Sequence, residues 1–154
     1  MDHSAVLPVR PSQLTAALSF LSADELTSIC RCAETEAIQR GRDLYTPESA
    51  ADCFYLILEG RLAVKKPAEF GHKSQVVALL DKHAAVGEAG IAGQRARTVT
   101  ITAIENTILL RLSRESFDTL QIEQPQLAIK LLKHLLTISS RRLEKCSERL
   151  SRVL

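Results

Sequence analysis

The stretch Val86-Gly87-Glu88-Ala89-Gly90-Ile91-Ala92-Gly93-Gln94-Arg95-Ala96-Arg97-Thr98-Val99 decides how this chain is read. It holds three of the six glycines and two arginines, and it lies between two strand-like apolar runs. Gly87-Glu88 followed by small residues suits a short helical turn whose free amides face an anion. Arg97 brings a fixed charge and a fork of donors matched to a phosphate. Glu88 is ill suited to the anion itself and better suited to accept hydrogen bonds from sugar hydroxyls. If the following strand begins early, Arg95, Arg97, Val99, Ile101 and Ala103 share one face. Val99 and Ile101 belong to the core, so the arginines turn inward, a costly place unless something anionic meets them. Two readings of these residues stand open: an anionic ligand, or a structural ion pair between Glu88 and Arg97.

On either side, the chain reads as strands. Ala37–Gly41, Asp43–Tyr45, Cys53–Leu58, Arg61–Lys65, Gln75–Leu80, Thr98–Ala103 and Thr107–Leu112 are short apolar or alternating runs broken by turn residues. Strands at this spacing indicate a β-sandwich, roll or barrel. Helical patterns flank them. One covers Ser12–Phe20, and a second opens at the capping box Ser22-Ala23-Asp24-Glu25 and runs to Cys32. Ser113 caps a third to about Gln121, and Pro125 begins a fourth that extends over about 125–154. Residues 1–11, with Pro8 and Pro11, read as a flexible arm, which leaves 12–154 as one domain. The class is α+β, mainly β.

Composition narrows the function. Of 154 residues, 45% are hydrophobic and 25% charged, ordinary for a globular protein. Lys and Arg number 20 against 18 Asp and Glu, a balance of +2 that advertises neither nucleic acid nor a membrane surface. No apolar run is long enough for a membrane span and no secretory signal opens the chain. Cys30, Cys32, Cys53 and Cys146 lack zinc or redox spacing and read as free thiols in a cytoplasmic protein. His3, His72, His83 and His134 share no spacing with acids or cysteines. Nothing activates a nucleophile or holds a metal, so the chain reads as no enzyme, with no cofactor.

Two stretches make the sequence resemble the cyclic-nucleotide-binding domain family, which includes catabolite-activator-type regulators and protein kinase regulatory subunits. Leu44–Gly60, with Asp52 ahead of Phe54-Tyr55 and Gly60 at the turn, looks like that family's early hairpin. Gly87 to Ala103 looks like its phosphate-binding cassette, and it aligns without a gap when Arg97 takes the place of the family's arginine. Arg95 is the alternative phosphate contact, at the cost of a loop two residues shorter. The resemblance implies a jelly roll (a double-stranded β-helix) between N-terminal helices and a long C-terminal helix. It implies that Arg97 pairs with the cyclic phosphate, Glu88 with the ribose 2′-hydroxyl, and amides near Gly87 and Ala89 with the phosphate oxygens. Thr98 stands where a hydroxyl touches the purine or phosphate, with Val99 beside it, and the choice between cAMP and cGMP stays open.

The chain also departs from that pattern. Glu48-Ser49 stands where many members have Gly-Asp, Lys82-His83 replaces a common glycine, and Val99 replaces a small alanine. These departures motivate an alternative: a degenerate domain that binds no nucleotide and serves as a scaffold or dimerisation module.

In the last helix, Ile129, Leu132, Leu136, Ser139, Leu143, Cys146, Leu150 and Val153 follow steps of three and four, a heptad seam. Leu131 and Leu135 lie beside it, facing the roll. The seam predicts a parallel homodimer, against the plainer reading of one amphipathic helix packed on its own domain. Thr137, Ser139, Ser140 and Arg141 are the polar residues of this helix available to lid a purine. No helix-turn-helix follows, so direct DNA binding is not expected. The leading expectation is a cyclic-nucleotide sensor that acts through its C-terminal helix.

Overall fold

Cys53–Leu58 is apolar at six successive positions, and every one of them is buried. In the computed structural model, which describes residues 6–71 and 73–154, the elements run as follows. The amino-terminal part comprises β1 (Val6–Pro8), α1 (Pro11–Leu14) and α2 (Ala23–Cys32). The roll comprises β2 (Glu34–Ile38), β3 (Asp43–Tyr45), β4 (Cys53–Glu59), β5 (Leu62–Pro67), β6 (Ser74–Leu80), β7 (Ala85–Val86), β8 (Thr100–Ala103) and β9 (Thr107–Ser113). A 3₁₀ turn, Glu88–Gly90, sits between β7 and β8, and α3 (Arg114–Glu123) and α4 (Pro125–Val153) close the chain. One antiparallel sheet has the order β1-β2-β9-β4-β7 and the other β3-β8-β5-β6, which together form the expected jelly roll.

The strand parity of β4 separates two cores. Phe54, Leu56 and Leu58 pack outward with Leu14, Leu18, Ile29, Phe117, Leu127 and Leu131 of the helical segments. Cys53, Tyr55 and Ile57 point inward, against Leu62, Val86, Ile101 and Leu109. An unbroken apolar run is therefore the correct pattern for this strand, because it has no solvent face. Leu131 and Leu135 of α4 join the outer core, at 3% and 5% exposure.

The caps form as their sequences dictate. Ser22 Oγ accepts from the Glu25 amide at 3.2 Å while the Ser22 amide donates to Glu25 Oε2 at 2.8 Å. Lys130 of α4 donates to the other oxygen of Glu25 at 2.6 Å, holding that carboxyl below its ordinary range and tying α2 to the last helix. Ser113 Oγ accepts from the Ser116 amide at 3.0 Å and starts α3.

Three expectations are corrected. Val6–Pro8 of the expected flexible arm pairs with Glu34–Glu36, and Val9 is buried in the outer core. The first helix stops at Leu14 and continues to Phe20 only as turns. The strand expected from Thr98 begins at Thr100, because the preceding residues are tied elsewhere: the Arg97 amide donates to Ser49 O at 2.8 Å and the Arg97 carbonyl accepts from Glu48 N at 3.0 Å. The strand Ala85–Val86 had been missed, being too short to carry a period.

Glu48 and His83, at departures from the resembled family's glycines, adopt φ of 69° and 71°. A side chain held in this left-handed conformation costs about 1 kcal/mol at each position. His83→Gly is therefore expected to stabilise the domain by up to about 1 kcal/mol, a rise in Tm of about 2–4 °C. His83→Ala, which retains a Cβ, gives no such rise in the same thermal denaturation.

Candidate functional site

The 3₁₀ turn and the loop behind it present one cation to the interior of the roll. Arg97 is 3% exposed, whereas Arg95 lies at the surface. Its Nη1 donates to Gly87 O at 3.1 Å, and its Nη2 donates to Cys53 O at 2.7 Å with Cys53 Sγ at 3.5 Å. The guanidinium carbon stands 4.3 Å from the centroid of the Tyr45 ring, a cation–π contact. Burial pushes the Tyr45 phenol up to about 12 against the opposing pull of Arg97. Arg97 Nε is buried and has no hydrogen-bond partner among the described residues.

Arg97 forms no ion pair among the described residues. The structural pair with Glu88, left open by the sequence, does not form. Glu88 turns instead to α4: its Oε1 accepts from Arg142 Nη1 at 3.1 Å and from Ser139 Oγ at 3.2 Å. Arg142 Nη2 also donates to Ala85 O at 2.6 Å, so one side chain links α4 to both β7 and the 3₁₀ turn. Of the four polar α4 residues named from the sequence, Ser139 alone reaches the site. The Thr137 hydroxyl bonds back to Lys133 O at 2.9 Å, and Ser140 and Arg141 are exposed. Arg142 was missed, although it lies one helical step of three from Ser139 on the same face.

The remaining expected site residues surround these two. Gly87 has φ 72° and caps the 3₁₀ turn, and its amide neighbour Ala89 is exposed. Thr98 is exposed, and Val99 is half-buried against the inner core. A Cβ at Gly87 would meet the Arg97 guanidinium well inside contact distance, so a larger residue there must displace the arginine as well as strain φ. Chemically, the arrangement is a desolvated cation beside a left-handed glycine turn, with a carboxylate at its rim. A desolvated guanidinium beside turn amides is the kind of arrangement whose charge an anion complements.

Elsewhere, among the described residues, no group of three or more His, Cys, Asp and Glu side chains is placed to hold a metal. His134 stacks on Phe20 at 4.6 Å, and burial, then Arg141, moves its pKa down. His3 and His72 lie outside the described residues. Among the described residues, no helix is long and apolar enough to cross a membrane.

The family model for the cyclic nucleotide-binding domain matches residues 35–123, more than half of the chain. The chain belongs to the cyclic nucleotide-binding domain family. The match begins in β2 and ends with α3, so it contains the whole cassette. A cyclic nucleotide-binding domain from Methylobacillus flagellatus KT superposes with a TM-score of 0.86 at 23% identity, covering 94% of this chain and 84% of that one. Thermus thermophilus catabolite activator protein gives 0.70 at 21% identity, covering 89% and 62%. The regulatory domain of Toxoplasma gondii PKA, solved with cAMP, gives 0.62 at 21%, covering 71% and 43%. At these identities the likeness is one of fold. Among curated relatives, lysophospholipase NTE1 of Phaeosphaeria nodorum is 31% identical over 96 residues, which is 62% of this chain and 6% of that protein. This domain thus spans a small part of the length of the relatives it matches.

The fit of glycine to Arg97 is directly testable. Gly87→Ala is expected to lower the stability of this cyclic nucleotide-binding domain by about 1–3 kcal/mol more than Gly41→Ala, as read by urea unfolding. Gly41 has a similar φ of 86° but open space around it, so the difference isolates the contact with the guanidinium.

Proposed function

We propose that this domain is a non-catalytic sensor that binds a cyclic purine mononucleotide, cAMP or cGMP, and signals through α4. The observation that carries this reading is Arg97: a guanidinium 3% exposed that has, among the described residues, no carboxylate partner and one buried donor unused. An isolated buried charge costs several kcal/mol, so folds keep one where an anion repays it. A cyclic phosphate at Arg97 and the Gly87 turn supplies that anion, with Glu88 accepting from the ribose 2′-hydroxyl. Thr98 and Val99 then border the nucleotide. The four free thiols suit a reducing, cytoplasmic setting.

The same geometry suggests how occupancy reaches α4. A ribose hydroxyl at Glu88 competes with Ser139 and Arg142 for one carboxylate oxygen, so the ligand loosens or redirects the helix. Ser139 is also a seam position, and along that seam Leu136, Leu143 and Leu150 are 67%, 68% and 59% exposed. A parallel homodimer through this seam places the signal at the interface.

A scaffold that binds no nucleotide is the second reading. Arg97 already spends two donors on the Gly87 and Cys53 carbonyls, and Val99 adds bulk beside it. Calorimetric titration of the full chain with cAMP and with cGMP separates the two. Binding by wild type is expected to weaken at least about 30-fold in Arg97→Ala and little in Arg95→Ala. Arg142→Gln, which removes the competitor for Glu88, is expected to tighten binding by about threefold to tenfold. Heat with neither nucleotide leaves the scaffold reading.

The seam has its own test. In a parallel pair, Cys146 faces its own copy, so mild copper-catalysed oxidation of the full chain is expected to yield a covalent dimer on non-reducing gels. That band disappears in Cys146→Ser. A band that survives the substitution, or none in wild type, rejects this seam.

A further inference from the structure

Arg114 is the first residue of α3, just after the Ser113 cap. A cation there opposes the positive end of the helix dipole, so local helix stability does not account for it. Its hydrogen bonds do. Nε donates to Gly90 O at 2.6 Å, and Nη2 donates to Ala51 O and to Gln94 O, both at 2.5 Å. Arg114 forms no ion pair among the described residues, so its charge too is met by carbonyl dipoles.

The three acceptors come from three pieces of the site. Gly90 ends the 3₁₀ turn, Gln94 lies in the loop leading to Arg97, and Ala51 leads into β4. Two positions on from Ala51, the Cys53 carbonyl accepts from Arg97. Added to Gly90, a Cβ would stand 2.9 Å from Cys53 O and 3.0 Å from Ala51 O, so the turn is pressed against this segment with no slack. The Arg114 backbone amide donates to Asp52 O at 2.7 Å, locking α3 to the same segment.

We propose that Arg114 is a positioning residue for the cassette: it gathers Ala51, Gly90 and Gln94 so that the Gly87 turn and Arg97 hold the geometry that receives the cyclic phosphate. The statement about phosphate rests on the nucleotide-binding reading above; the statement about Arg97 does not. Arg114 reaches the three carbonyls from two separate nitrogens of a rigid fork, whereas lysine would have to reach all of them from one, so lysine is an incomplete substitute.

The test uses the full chain as wild type, Arg114→Lys and Arg114→Gln. The first readout is the Arg97 Nε–H resonance in ¹⁵N-arginine-labelled protein without ligand, assigned by its loss in Arg97→Lys. The second is affinity for cAMP or cGMP, measured well below each variant's Tm. In both variants the Arg97 resonance is expected to shift or broaden, while far-UV circular dichroism is retained. Affinity is expected to fall by about tenfold or more in Arg114→Gln. Arg114→Lys is expected to recover Tm but not affinity, a split that a purely structural role does not produce. If Arg114→Gln does not fold, the same two readouts on Arg114→Lys decide. An unmoved Arg97 resonance, or affinity that returns in step with Tm, overturns the proposal. Absence of binding by wild type itself overturns the nucleotide reading, and the resonance still decides whether Arg114 positions Arg97.

Discussion

A guanidinium held out of water, with no counter-ion among the described residues, is the constraint around which this domain is arranged. Arg97 is met by the Cys53 and Gly87 carbonyls and by the face of Tyr45, all of them dipoles or a quadrupole rather than charges. Such partners soften the desolvation cost without cancelling it, because none carries a full negative charge. Each also constrains its own segment. Tyr45 fixes β3 beneath the arginine, Cys53 fixes the entry to β4, and a Cβ on Gly87 would displace the guanidinium. The site is therefore not a loop laid over a finished roll. It is joined to the roll at three points.

The carboxylate that elementary electrostatics would bring to Arg97 is engaged elsewhere. Glu88 is claimed by Arg142 and Ser139 of α4, and this separation of charges leaves Arg97 without a carboxylate partner among the described residues. It also makes the last helix part of the site. Leu131 and Leu135 anchor α4 in the outer core, Ser139 and Arg142 touch the 3₁₀ turn, and Leu136, Leu143 and Leu150 stand in solvent along the seam that Ser139 borders. The Arg142–Glu88 pair is about a quarter to a third exposed at its side chains. An ion pair of that kind is worth little more than about 1 kcal/mol, so it is a weak tie between α4 and the turn.

Much of the fold was legible because its signals are local. Ser22 and Glu25 cap their helix through atoms three residues apart, and the run Cys53–Leu58 is as apolar as a strand between two cores must be. Val6–Pro8 was not legible, since three residues carry no period and their pairing with β2 depends on a segment nearly thirty residues away. The inward turn of Arg97 was expected for an incomplete reason. Strand parity put it inside, yet the strand starts at Thr100, and the arginine is held in place by backbone bonds to Glu48 and Ser49.

The sequence by itself determined the roll with its flanking helices, the cassette from Gly87 to Ala103, and the preference for Arg97 over Arg95. The roll and its helices follow from periodicity along the chain, whereas the cassette and the preference for Arg97 rest on the resemblance to the cyclic nucleotide-binding family, whose segment length this chain matches. Tertiary structure alone decided which charge meets which. That Glu88 pairs with Arg142 rather than Arg97, and that Arg114 gathers three carbonyls behind the cassette, depends on the rotation of α4 and the seating of α3 against β4. Those are set by packing of the whole outer core, and no short window of sequence contains them.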